Sequence, residues 1–137
     1  MLIPEIETVF NTGSRLVHLV TLRPDGRPHV TVVWSGVEEG EIVIAHLKEH
    51  QKVKNVRNDP RVALSVATGT RNALGLDEFV VVEGTARITE GGAGELLQAL
   101  VQRYVGPGAV YPLPDDAPAG YITRVSITKV SGVNSWT

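Results

Sequence analysis

The feature that most constrains this chain is a tight turn set between two β-branched runs. Arg23-Pro24-Asp25-Gly26 joins a Val- and Leu-rich stretch, Arg15 to Leu22, to a longer one, Arg27 to Val37. Proline presets one turn dihedral and glycine supplies the positive one, so the two runs read as a hairpin. Glu38-Glu39-Gly40 makes the next turn, and Glu41 to Leu47 the third strand. Val62 to Ala67, Asp77 to Ile88 and Tyr121 to Val130 continue the series as strands four to six. Short turns and β-branched runs favour an antiparallel sheet closed into a barrel.

Three segments break this pattern with helical spacing. Pro4 to Asn11 places Ile6, Val9 and Phe10 on one face, with proline suited to the first turn. Lys48 to Asn58 carries Val53 and Val56 three apart, and Pro60 disfavours helix at Asp59. Glu95 to Val105 buries Leu96, Leu97, Leu100, Val101 and Tyr104. Thr68 to Gly75 and Gly106 to Gly120 read as loops. The expected class is mainly β with short helices. The 137 residues suit one domain spanning 1–137.

Composition excludes several function classes. Without cysteine there are no disulfides, thiolate metal sites or cysteine nucleophiles, and the chain suits a reducing cytoplasm. A net charge of −2 argues against a nucleic-acid partner. No signal-peptide pattern opens the chain, and no apolar run nears the ~20 residues of a membrane span. The expectation is a cytoplasmic protein with no membrane partner. His18, His29, His46 and His50 are too scattered for a metal site, although His29 and His46 are placed to meet across paired strands. Gly91-Gly92-Ala93-Gly94 lacks a P-loop lysine, and no serine sits in a nucleophile elbow. No side chain stands out as a general acid, so no catalytic residue is assigned.

One segment points to binding chemistry. The third strand feeds a helix expected to begin near Lys48. A helix N-terminus offers free amides and a partial positive charge to an anion. At ~100° per residue, Lys48, Lys52 and Asn55 fall within about 60° on one face, away from Val53 and Val56. Each charge-assisted contact from such a face to a phosphate is worth ~1.5–3 kcal/mol. The same residue types also suit a solvated helix face, and spacing alone leaves both readings open.

The wider pattern resembles a known family. Thr21-Leu22-Arg23-Pro24-Asp25-Gly26-Arg27-Pro28-His29-Val30, then Val33-Trp34, then Gln51-Lys52-Val53-Lys54-Asn55-Val56-Arg57-Asn58-Asp59-Pro60-Arg61-Val62, and later Val82-Glu83-Gly84-Thr85-Ala86, look like the pyridoxamine 5′-phosphate oxidase-like superfamily. Within it the chain is most similar to the flavin/deazaflavin oxidoreductases. The resemblance implies a Greek-key split β-barrel, FMN-binding in type, that forms a homodimer with two cofactor sites at the interface. It implies coenzyme F420, with FMN as the alternative, and hydride transfer to a small conjugated or electron-poor substrate. The phosphate would lie near His50, Gln51, Lys52 and Asn55, with His46 and Lys48 also counted among the cofactor-binding residues. The ring would lie against Val32, Val33 and Trp34, with the partner subunit's C-terminal tail, around Asn134 to Trp136, approaching it. Many relatives carry arginine or a small residue where this chain has His50. The second basic cluster of true pyridoxamine phosphate oxidases is missing, which argues against that activity. The alternative is a non-catalytic flavin- or haem-binding barrel, with His18 or His46 as axial candidates.

Overall fold

The computed structural model describes residues 4–133. Ten elements follow one another: α1 (Pro4–Asn11), β1 (Val17–Leu22), β2 (Pro28–Val33), β3 (Gly36–Glu38), β4 (Glu41–His46), α2 (Gln51–Asn58), β5 (Arg61–Arg71), β6 (Asp77–Glu90), α3 (Ala93–Tyr104) and β7 (Tyr121–Val133). All seven strands lie in one antiparallel sheet of order β2-β1-β5-β6-β7-β4-β3. This is the mainly β, split-barrel class expected from the sequence. No described helix is long and apolar enough to cross a membrane.

The expected turns form as their residues dictate. Gly26 adopts φ +86° and donates its N–H to the Arg23 carbonyl at 2.8 Å. The β3–β4 hairpin turns on Glu39 and Gly40, both at positive φ (51° and 77°), which matches the right-handed twist of the flanking strands.

Three boundaries differ from expectation. The run Arg27 to Val37 is two strands rather than one. It breaks at Trp34 and Ser35, and its halves, β2 and β3, lie at opposite edges of the sheet. Two residues therefore span from one edge to the other, which requires the sheet to curl until its edges approach. The barrel is split at this point rather than closed by hydrogen bonds. Tertiary contacts hold the break open. The Ser35 N–H donates to Tyr104 Oη at 3.0 Å, its hydroxyl to the Phe10 carbonyl at 2.9 Å, and its carbonyl accepts from Arg103 at 2.5 Å. With its backbone engaged by α3, Ser35 has no strand neighbour to pair with. The second difference is that α2 starts at Gln51, not near Lys48. The third is that the first half of Thr68 to Gly75 is strand, because β5 runs to Arg71 and pairs with β6 around the turn at Asn72 to Leu76.

β4 is buried on both faces. Ile42 and Ile44 join the main core with Ile6, Phe10, Val17, Leu19, Leu64 and Val82. Val43 turns the other way, onto Leu96 and Leu100 of α3, with Trp34, Ala45 and Tyr104 at the margin of that second cluster. α2 closes one end of the barrel through Val53 and Val56, as the spacing predicted, and packs against β1 and β6.

Candidate functional site

The break between β2 and β3, the end of β4 and the first turn of α2 converge on a cavity of about 230 Å³. Val32, Val33, Trp34, Ile44, Ala45, Lys52, Leu97, Leu100 and Tyr111 line it. The residues expected near a ring (Val32, Val33 and Trp34) and the lysine expected near a phosphate thus border one space, although they stand far apart in sequence.

The aromatic end is fixed from behind. Trp34 stacks on Tyr104 with ring centres 4.9 Å apart and planes 8° from parallel, and meets Tyr111 edge-on at 6.1 Å. Tyr104 is itself held by donating its hydroxyl to the Arg15 carbonyl at 2.7 Å. Tyr111 sits in the Pro/Gly-rich loop and is pinned to α3. Its N–H donates to Gln98 Oε1 at 2.8 Å, and its carbonyl accepts from Gln98 Nε2 at 2.9 Å. A residue in a loop carries no periodicity, and the Gln98 clamp that places it is a long-range contact.

The opposite end is cationic. Lys52 is half-buried, and that burial pushes its ammonium below the ordinary lysine range. Among the described residues no ion pair engages Lys48 or Lys52; the pairs involve arginines and Lys129. His50 is the N-cap of α2 in extended conformation but makes no side-chain capping bond, so the first-turn amides lack a side-chain acceptor. Burial, then the Lys52 and Lys48 charges, hold His50 below the usual histidine range. Burial, then Arg23 and Lys52, do the same to His29. Burial is the first cause for both histidines, and the Lys52 charge adds to it.

The expected phosphate face is only partly assembled. Lys48 precedes α2 and lines a separate cavity with Leu47, Glu49, Glu90 and Tyr121. Asn55 is fully buried rather than aimed at the anion site. Its Nδ2 donates to Thr21 Oγ1 at 3.0 Å, and its Oδ1 accepts from Gln51 Nε2 at 2.8 Å. The helix begins three residues later than expected, and the buried Thr21 hydroxyl requires a partner that a carboxamide supplies. Gln51 and His50 are exposed beside Lys52. His46 is 2% exposed and shares a 2.7 Å hydrogen bond through Nε2 with Thr123 Oγ1, so its ring is committed to the barrel rather than to the cavity wall. Burial, then Lys52 and His50, push it down to about 3. His29 and His46 do not face each other across paired strands, because β2 pairs only with β1 and β4 with β3 and β7. No cluster of metal-ligating side chains occurs among the described residues. Neither His18 nor His46 lines the cavity. Trp136 lies outside the described residues.

Orphaned polar atoms complete the picture. His29 Nδ1, Thr31 Oγ1 and His46 Nδ1 are buried without a hydrogen-bond partner. Buried polar groups are normally satisfied, and each one left bare costs ~1–3 kcal/mol. A cation and an apolar aromatic wall around one cleft fit a phosphorylated, planar group.

Comparison with known proteins places the chain. The family model described as pyridoxamine 5′-phosphate oxidase matches residues 2–134. Among solved structures, the chain is similar to an F420 reductase at 28% identity and TM-score 0.73, over 94% of this chain and 98% of that one. It is similar to the conserved hypothetical protein Rv2991 of Mycobacterium tuberculosis at 28% identity and TM-score 0.71, over 96% and 84%. The fold alone is shared with the HupZ protein of Group A Streptococcus, at 16% identity and TM-score 0.65, over 98% and 96%. No curated protein matches the sequence.

Proposed function

The chain belongs to the pyridoxamine 5′-phosphate oxidase family, and from that premise we propose that it is an oxidoreductase working with a flavin-type cofactor, coenzyme F420 before FMN. The observation that carries this reading is the shared cavity of Lys52 and Trp34. A half-buried lysine with no carboxylate partner among the described residues stands at one end, and an aromatic wall backed by Tyr104 at the other. The likeness to an F420 reductase supports the order of cofactors.

When bound, the ring of such a cofactor supplies a hydride to a small conjugated or electron-poor substrate. The chain's own residues do the rest. Lys52, with the α2 amides and His50, neutralises the phosphate and fixes the cofactor along the cleft. Val33, Leu97 and Leu100 exclude water from the reacting end. Trp34, braced by Tyr104, sets the floor on which a planar group rests. No catalytic acid is assigned in this proposal, and the proton is taken from solvent. Pyridoxamine phosphate oxidase activity itself is not part of the proposal, because the second basic cluster it requires is missing from the sequence.

The same reading makes the protein a homodimer with cofactor sites at the interface. Val30 and Val32 support it: they are 57% and 52% exposed on the outer face of the edge strand β2, where a monomer gains nothing from valine. Titration of the purified protein with F420 and FMN, followed by fluorescence, tests the cofactor; binding of either supports the reading, and binding of neither refutes it.

A further inference from the structure

We propose that Gln98 and Gln102 of α3 latch the loop between α3 and β7 over the cavity, and that release of this latch is the movement that admits a planar ligand. Resting on the cofactor reading above for what enters, the latch governs how it enters.

The cavity of about 230 Å³ is smaller than the ~300–1,000 Å³ of most small-molecule sites, so a fused ring finds room on this chain's side only where a wall yields. Most of the walls are fixed. Val32 and Val33 stand in β2, Ile44 and Ala45 in β4, Lys52 in α2, and Leu97 and Leu100 in α3. Trp34 is held by its stack on Tyr104. Tyr111 differs, because it lies within residues 105–120, which form no strand or helix.

Few bonds hold this loop to the body of the chain. Gln98 and Gln102 lie one turn apart on one face of α3. Gln98 accepts from the Tyr111 N–H at 2.8 Å and donates to the Tyr111 carbonyl at 2.9 Å. Gln102 accepts from the Gly108 N–H at 2.7 Å and donates to the Ala109 carbonyl. Each carboxamide thus imitates a neighbouring strand, with both arms on backbone. Pro107, Pro112, Pro114 and Pro118 have no N–H to give. The other bonds between positions 107 and 118 stay inside the loop, from Ala109 to Gly106, Leu113 to Tyr111 and Ala117 to Pro114. Among the described residues, the two glutamines therefore supply the hydrogen bonds that tie this stretch to the body. Apolar anchorage is thin: Tyr111 meets Trp34 edge-on, Leu113 lies against Gly94, and Val110, between the clamped residues, is exposed. Side chains near the surface change rotamer in picoseconds to nanoseconds, so the latch lets go without disturbing the barrel, and Tyr111 is then free to leave Trp34.

The test compares wild type, Gln98→Met and Gln102→Met, since methionine keeps the length and helix preference of glutamine but makes no such bonds. Cofactor-free protein is cut with thermolysin, which reads exposure of the loop at Ala109–Val110. FMN and F420 binding is followed by stopped-flow fluorescence, and thermal unfolding is recorded for each protein. Loss of two hydrogen bonds is expected to open the loop of Gln98→Met about tenfold more often, and cutting speeds up by that factor. Association and dissociation rate constants both rise about fivefold while Kd changes less than twofold, because the latch closes the free and the bound cleft alike. Gln102→Met shows the same signs at smaller size and carries the test if Gln98→Met does not fold. A glutamine that merely supports the fold would lower the unfolding midpoint and leave both rates alone. Unchanged cutting, or faster cutting with unchanged rate constants, overturns the latch as the way in while the cofactor reading stands. If wild type binds neither cofactor, the cofactor reading falls and the entry route with it.

Discussion

Asn55 Nδ2 donates to Thr21 Oγ1 across a fully buried gap of 3.0 Å, tying α2 to β1 beneath the cavity. This bond gives Asn55 a structural task and leaves the anion to Lys52, three residues earlier on the same helix. Asn55→Ala removes the partner of a buried hydroxyl and opens a void. It is expected to cost about 2 kcal/mol of stability, read as a lower urea midpoint at unchanged slope.

Lys52→Ala is expected to act in the opposite manner. Removing a half-buried, unpaired cation leaves stability unchanged or raised, because its desolvation is relieved. Cofactor affinity falls at least tenfold, about 1.4 kcal/mol, in a titration that Lys48→Ala shifts far less, since Lys48 borders another cavity.

How much of this was legible in the sequence differs from residue to residue. The turn at Pro24 to Gly26 and the inward faces of α1 and α3 follow from local chemistry, and they came through. Val53 and Val56 of α2 did as well. The break at Trp34–Ser35 did not, because the run around it is β-branched throughout and only Tyr104 and Arg103, some seventy residues on, interrupt it. Lys52 was visible at a helix start. Asn55 was misplaced because helical spacing assigns a direction but not a neighbour, and the buried Thr21 hydroxyl that claims it is a tertiary fact.

His46 sets an acid limit on the fold. Its ring is neutral in the native barrel and titrates near 3, against an ordinary value of 6.5 once unfolded. The native pKa is the lower of the two, so the unfolded chain binds the extra proton between those values. Stability is fully present above pH 6.5 and is lost as pH falls toward 3, by roughly 2 kcal/mol at pH 5. His46→Gln is expected to flatten this limb in thermal midpoints measured from pH 7 to pH 4.5.

The proposed dimer places the outer face of β2 at its interface. Val32→Lys, or Val30→Glu, places a charge on a strand edge that the account assigns to a second copy. Light scattering after gel filtration is expected to show the wild type as a dimer and the variants as folded monomers with weakened cofactor retention. A wild-type monomer that binds cofactor at full strength would contradict the interface.

The central claim is that the cleft between Lys52 and Trp34 takes a phosphorylated flavin-type ring, and side-by-side titration of the purified protein with F420, FMN and haem tests it most directly. Saturable binding of F420, weaker binding of FMN, and loss of both in Lys52→Ala are expected. Tight binding of haem with neither F420 nor FMN bound would contradict it.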